Sequence, residues 1–366
     1  MKIALLTYST KPRGSVIHTL ELANALHHLD HSVTVFALDK DGTGFDYPLS
    51  CEAQFIPAKP ASGEIDKLIY QRIQEFVSYL EQSQQSYDCY HAQDCLAANA
   101  LLTLFKQGKI PHFVRTVHHI DDYSSIYLQQ CQDRSIREAS LCLCVSDRVQ
   151  SELQQHYQIN APRVINGVNL NRFSPNGASL KFDGSPIYLT IGGIEPRKNS
   201  IRLLQAFNQV RVQFPKARLI IAGGATLFDY QSYRDEFFAI AQSLNLENAI
   251  ILTGVLSDAE LSALYRSADA FVFPSVKEGW GLVILEAIAS GLPVITSNQA
   301  PFTEFLNDRQ ALLVDPYSVD AIAQSMCSVF QSADSLRLQS QSILSQYSWE
   351  TSAKQHIHYY QTLLYA

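Results

Sequence analysis

Short apolar runs alternate along this chain with longer segments whose apolar residues recur at helical spacing. In the first half, "KIALLTY", "SVTVFAL", "YDCYHA", "HFVRTVH" and "LCLCVS" are dominated by aliphatic and β-branched residues and predict strands. Between several of them lie helix-like stretches such as "SVIHTLELANALHHL" and "EIDKLIYQRIQEFVSYLEQ". The alternation pauses over residues 166–186, "NGVNLNRFSPNGASLKFDGSP", a turn-rich stretch that reads as a linker. It then restarts with "PIYLTIGG", "ARLIIAGG", "AIILTG", "AFVFPS" and "LPVIT", and "SWETSAKQHIHYYQTLLY" reads as a terminal helix. Strands alternating with helices predict parallel sheets, so each half is expected to be a doubly wound α/β domain. No repeat of fixed period and no low-complexity tract interrupts this order.

Length and composition narrow the picture. A chain of 366 residues is too long for one ordinary core, and 46% hydrophobic residues is a globular composition. The net charge of −7 argues against nucleic acid as the main partner. No apolar run approaches the roughly 20 residues of a membrane span, and "MKIALLTYST" lacks a signal-peptide pattern. "EIDKLIYQRIQEFVSYLEQ" is amphipathic without being basic, so it reads as a core-packing helix, and peripheral membrane contact stays open. The seven cysteines include no CxxC pair; they read as reduced core thiols, with Cys142 and Cys144 on one face of a strand, in a cytoplasmic protein.

Open parallel sheets bind ligands at the carboxyl ends of their strands, so candidate chemistry is sought there. After the first strand, Gly14 and Ser15 stand at a helix entrance where backbone N–H groups can approach a phosphate, although a plain turn explains them equally well. A nicotinamide site needs GxGxxG; "TKPRGSVI" lacks it, and "GWGLVI" has Ile284 in place of the third glycine. "LTIGGIEPRKNSIRLLQAF" follows a strand and opens a helix, with Gly192 and Gly193 allowing a tight turn. Arg197 and Lys198 near a helix start oppose its dipole, a placement that makes sense beside a diphosphate. "LDKDG" offers a metal-type DxD at Asp39 and Asp41, but it runs into Gly42 and an Asp-Gly turn explains it. No metal and no cofactor are expected.

"GGIEPRKN", "AGG", "LTGVLSDAELSALYRSADAFVFPS", "EGWGLVILEAIASGLPVIT" and "LLVDP" together resemble the retaining glycosyltransferases of family 4, and Glu278 and Glu286 meet that family's Glu-x7-Glu signature. The first half is similar more loosely, through "YDCYHAQD", "RTVHHIDDY", "CVSDRV" and "INGVNLNRFSP". The resemblance implies the GT-B fold: two Rossmann-like domains facing a central cleft, here residues 1–170 on the acceptor side and 171–347 for the nucleotide-sugar, with 348–366 packing back on the first. It also implies that Arg197 and Lys198 bind the donor diphosphate, that Glu286 takes the ribose hydroxyls and that Glu278 takes hydroxyls of the hexose. Gly14 stands for a phosphate loop that usually carries two glycines, Gly193 lies in the turn before the cations, and the backbone around Val255 receives the base. His118 matches a histidine that contacts the donor sugar; it follows the strand-like run "HFVRTV", and function is favoured over packing for it. His119 has the weaker claim. Packing is favoured for His91 and Asp94, and a surface or structural role for His356 and His358.

Two glutamates bracketing the apolar "GWGLVIL" suit a long ligand touched at both ends. Gly279 and Gly281 are expected to bend the chain, placing Glu278 in a loop and Glu286 on the following helix, whose buried stripe is "LVIL". The expected enzyme is a retaining hexosyltransferase using a nucleoside-diphosphate sugar, of UDP or GDP type, on an unidentified acceptor. A sugar-nucleotide-binding protein without catalysis, and a phosphorylase or hydrolase on the same fold, are the competing readings.

Overall fold

The computed structural model describes residues 1–60, 63–83, 85–224 and 230–365. They form two compact units: Met1–Gly167 together with Tyr347–Ala366, and Val168–Gln346. Ala366, the last residue of the expected terminal helix region, lies outside the described residues.

In the first unit, strands β1 (Lys2–Thr7), β2 (Ser32–Asp39), β3 (Glu52–Pro57), β4 (Cys89–Ala92), β5 (Val114–Val117) and β6 (Leu141–Cys144) alternate with helices. These are α1 (Gly14–His28), α2 (Ile65–Gln82), α3 (Cys95–Lys106), α4 (Ile126–Arg137) and α5 (Asp147–Tyr157). The sheet order is β3-β2-β1-β4-β5-β6, with every neighbouring pair parallel. All but the first residue of β1 and of β2 are buried, so these strands read as unbroken apolar runs, as expected of a sheet covered on both faces. Asp94, Ser125 and Ser146 accept bonds from the backbone N–H groups of Ala97, Leu128 and Val149 and so open α3, α4 and α5.

The second unit repeats the plan with β7 (Ile187–Ile191), β8 (Arg218–Ala222), β9 (Ile250–Gly254), β10 (Ala270–Phe273), β11 (Val294–Ser297) and β12 (Leu312–Val314). Its helices are α6 (Ser200–Gln213), α7 (Gln231–Ser243), α8 (Asp258–Tyr265), α9 (Leu282–Ala289) and α10 (Val319–Gln341). Its order is β12-β11-β10-β7-β8-β9, again all parallel. In each sheet the order reverses beside the first strand, between β1 and β4 and between β7 and β10; ligands of such sheets bind there. The periodicity missed β3 and β12. Both are edge strands: β3 is largely uncovered and mixes polar with apolar residues, and β12 has three residues.

The stretch 166–186 is not a loose linker. Asn166, Val168 and Phe173 are buried, and a Cβ on Gly167 would come within 2.3 Å of the Trp349 backbone nitrogen. Trp349 opens α11 (Trp349–Leu364), which belongs to the first unit and packs against α1. The cysteines are all free; Cys89, Cys131, Cys142 and Cys144 are core residues, whereas Cys51, Cys95 and Cys327 are only half-buried.

Under α11 lies a group of imidazoles. His356 of α11 stacks near His18 of α1 (5.8 Å between centroids) and His91 of β4 (5.6 Å), and His18 meets His118 edge-on at 4.7 Å. Burial holds His18 at about 4, despite a hydrogen bond to Asn166 that opposes it, and holds His356 at about 3. His91 and His118 are also pushed well below the ordinary value, first by burial and then by neighbouring bases. The folded pKa values lie below the unfolded ones, so this stability is complete above about pH 6.5 and falls as the unfolded chain alone takes up protons. Each such histidine contributes a slope of about 1.4 kcal/mol per pH unit until its folded pKa is reached. Stability measured by urea unfolding should therefore fall steeply from about pH 6.5 towards about pH 4.5, and His356→Gln should flatten the slope. Equal slopes in the two proteins would rule this origin out.

Candidate functional site

At the end of β7 the chain enters Gly192, with φ +131°, and Gly193. Both turns need the missing side chains: a Cβ on Gly192 would lie 2.9 Å from Lys198 Cε, and one on Gly193 would lie 2.7 Å from the Gly224 carbonyl. The glycine pair thus lets the turn after β7 rest on the turn after β8. Residues Pro196–Lys198 then form a 3-10 turn, and Asn199, at φ 60°, connects it to α6. Arg197 and Lys198 therefore precede α6 rather than occupying its first turn.

Neither cation stands alone. Glu278 Oε1 accepts from Lys198 Nζ at 2.6 Å, from Arg197 Nη1 at 3.0 Å and from Ser275 Oγ at 2.9 Å. Arg197 Nε also lies 2.9 Å from Glu195 Oε2, and Lys198 Nζ sits 4.4 Å from the centre of the Phe273 ring. Burial pushes the Glu278 carboxyl up, but Lys198 and Arg197 outweigh it and hold the group at about 2. Lys198 is lowered by the same burial, with Glu278 opposing. With two carboxylates beside two cations the group is formally neutral.

The loop after β10 is fastened to this turn. The Val276 N–H donates to the Arg197 carbonyl at 2.9 Å, and Ser275 Oγ shares its one proton between that carbonyl, 2.7 Å away, and Glu278 Oε1. Buried Asn199 donates to the carbonyls of Pro274 and Pro316, tying together the ends of β7, β10 and β12. Glu278 lies in that loop and Glu286 in α9, so the two do not share one helix. The break is at Gly281, φ +101°, where a Cβ would come within 2.7 Å of the Phe302 ring. Leu282 and Val283 are half-buried, so the buried face of α9 starts at Ile284 rather than spanning all of "LVIL". Glu286 is 9% exposed, and its Oε2 accepts from the fully buried Tyr265 hydroxyl at 2.8 Å. Val255 follows Gly254 at the end of β9; its side chain is 64% exposed and covers Gly224.

In the first unit Gly14 opens α1 with open space where a Cβ would stand. His118 follows β5 and is half-buried, its Nε2 3.0 Å from Gln93 Oε1. His119 is exposed and pairs with Asp121 at 3.1 Å. His91 lies within β4, not after it, and is bonded to Tyr360 and Thr116. Asp94 caps α3, and burial raises its carboxyl to about 6. Asp39 spends its oxygens on the N–H groups of Asp41, Gly42 and Gly44, while Asp41 pairs with Lys11, as the turn reading requires. His356 is buried and His358 exposed.

The sequence reading did not single out Glu195, Asn199, Tyr265 or Gln93. Glu195 and Asn199 flank the cations inside a quoted motif, and adjacency was the available signal. Tyr265 carries none, since its partner is 21 positions away. Among the described residues, no group of three or more His, Cys, Asp or Glu side chains is placed to hold a metal ion, and no helix is long and apolar enough to cross a membrane.

Comparison with known proteins bears on the family and the fold. The model of glycosyl transferases group 1 matches residues 175–343, and that of Glycosyltransferase Family 4 matches residues 12–172. O-antigen chain mannosyltransferase B of Escherichia coli is 31% identical over 258 residues, 65% of this chain and 64% of that enzyme, so the match spans just under two thirds of the relative. Mannosylfructose-phosphate synthase of Agrobacterium fabrum is 23% identical, covering 87% of this chain and 78% of its own. Among solved structures, sucrose-phosphate synthase of Thermosynechococcus elongatus superposes with a TM-score of 0.83 at 23% identity, covering 99% of this chain and 98% of its own. The Anabaena protein HepE, solved with UDP and glucose, gives 0.75 at 20% identity over 98% of each chain. These neighbours have the GT-B fold, and the two parallel six-stranded sheets of this protein are of that class. With one family model matched in each half and this fold along nearly its whole length, the chain belongs to the glycosyltransferases of the family 4 type.

Proposed function

We propose that this protein transfers a hexose from a nucleoside-diphosphate sugar to an acceptor with retention at the anomeric carbon. The observation that carries the reading is the Lys198–Arg197–Glu278 group at the strand ends where the second sheet reverses its order. Breaking the anomeric C–O bond leaves negative charge on the diphosphate, and positioned cations lower that barrier. No metal is assigned to this step, and the compartment proposed is the cytoplasm. The relatives' names include mannosyl transfer and the solved neighbours include a UDP complex, so uridine and guanosine nucleotides are the donors to try first.

Glu278 gives the group two states. In the structure it neutralises both cations. When the donor arrives, its diphosphate takes over Lys198 and Arg197, and Glu278 turns to the hexose hydroxyls. Glu286, held by Tyr265, receives the ribose, the backbone beside Val255 and Gly193 lines the nucleotide, and Gly14 keeps an open helix start for phosphate. His118 contacts the hexose. A phosphorylase would need no nucleotide, so a thermal-shift panel of UDP, GDP and ADP separates it: one of the three should raise the melting temperature. No shift with any of them would overturn the reading.

The cations should act on both stability and rate. Lys198→Met leaves buried Glu278 with one cation, Arg197, and should cost up to about 3 kcal/mol of stability. Adding Glu278→Gln should restore most of that stability but none of the turnover, which should stay down by about 10²–10³. Recovery of turnover in the double variant would show that the pair is merely structural.

The two glutamates should fail differently in calorimetric titration. Glu286→Ala should weaken the bare nucleoside diphosphate by about 10- to 100-fold, and Tyr265→Phe should weaken it in the same direction but less. Glu278→Ala releases the cations, so it should bind the bare nucleotide at least as tightly as the parent while binding the sugar donor more weakly. Equal losses of bare nucleotide in the two glutamate variants would refute the assignment.

A further inference from the structure

We infer that Gln93 is a positioning residue that fixes the tautomer of His118, keeping its ring neutral with the proton on Nε2 and Nδ1 as the atom that accepts from substrate. This rests on the reading of His118 as a substrate contact. Gln93 is 1% exposed and immediately follows β4. Its Oε1 lies 3.0 Å from His118 Nε2, and its Nε2 lies 3.2 Å from His91 Nε2. An amide oxygen only accepts, so the nitrogen it meets on His118 carries the proton. The amide N–H in turn requires a lone pair on His91 Nε2, which also lies 2.8 Å from Thr116 Oγ1. The amide nitrogen also lies 3.4 Å from His91 Nδ1; with the nearer Nε2 as its acceptor, the His91 proton sits on Nδ1, which meets the Tyr360 hydroxyl at 2.6 Å. With the Gln93 amide in this orientation, donors and acceptors match from Tyr360 through His91 and Gln93 to His118.

Among the described residues, Gln93 is the hydrogen-bond partner of the His118 ring. The groups facing that ring from the elements around it are His18 of α1, His91 of β4, Arg115 of β5 and neighbouring His119, and His356 of α11 backs His18 and His91. Burial first, and then His18, Arg115, His119 and His91, disfavour a second proton on His118. A neutral imidazole has a purpose beside a transferred sugar: its Nδ1 lone pair can take a hydroxyl proton, and it does not repel the positive character that develops on the sugar as the leaving group departs. An imidazolium would do neither.

Long-range 1H–15N spectra of the full chain, with the His118 signals assigned by loss in His118→Gln, test the tautomer without any substrate. A neutral ring protonated on Nε2 is expected throughout about pH 6 to 8. Gln93→Glu places a carboxylate on the same proton, so His118 should now titrate within that range. Donor hydrolysis, read with UDP-glucose or GDP-mannose as the thermal-shift panel selects, should then fall by about tenfold or more from about pH 9 to about pH 6 in Gln93→Glu only. Gln93→Leu should lower kcat without creating that new pH limb, because it removes the acceptor and adds no charge. A proton on Nδ1 in the parent protein, or an unmoved His118 titration in Gln93→Glu, would overturn the inference. The contact itself is read separately: near-normal hydrolysis by His118→Gln, with the spectra as expected, would sink the substrate role of His118 and with it the purpose assigned to the tautomer.

Discussion

A single carboxylate oxygen, Glu278 Oε1, receives an ammonium, a guanidinium and a hydroxyl within 3.0 Å, and much of the second unit is arranged to make this tolerable. A side chain that is 9% exposed cannot keep its charge without such partners, and these partners cannot share one small volume without it. The glycine pair after β7 gives the Lys198 stem its room, Asn199 fixes the turn that carries both cations, and Ser275 bonds to the turn and the carboxylate at once. The geometry is over-determined by neutral hydrogen bonds, so the charges can change partners without the backbone giving way. Under the proposed function the site holds a polyanion in one step and releases it in another, which needs that separation between scaffold and charge.

Much of this was legible in the sequence, and the illegible part has a common cause. The two α/β halves follow from apolar runs that depend on burial along a single strand or helix. β3 and β12 escaped because an edge strand lacks a neighbour on one side, which relaxes the pattern. The cations and both glutamates were found as residue types at recognisable spacing. Their pairing was not, because Lys198 and Glu278 stand 80 positions apart and nothing local in either segment announces the other. Tyr265 and Gln93 escaped for the same reason: the bonds to Glu286 and to His118 are made across the fold. Reading 166–186 as a linker failed differently. Its glycines and asparagines do mark turns, but Gly167 is there to admit the Trp349 backbone rather than to loosen the chain.

The first unit solves a different problem with similar means. Its sheet reverses beside β1 and β4, and the space there is filled by imidazoles in place of ion pairs. Neutral rings can be buried without counter-ions, and each offers one donor and one acceptor, so a chain of them carries direction where a salt bridge carries charge. The cost is sensitivity to acid.

The placement of α11 has a consequence for how the molecule is made. Residues 168–346 are contiguous and close on themselves, whereas the unit that begins at Met1 lacks a helix until residues 349–364 have been added. His18, His91 and the Gly167 turn all wait for partners near the far end of the chain. Domains fold as units during synthesis. Here the half that leaves the ribosome first is the half completed last, and its unfinished face stays open while the whole second unit is being translated.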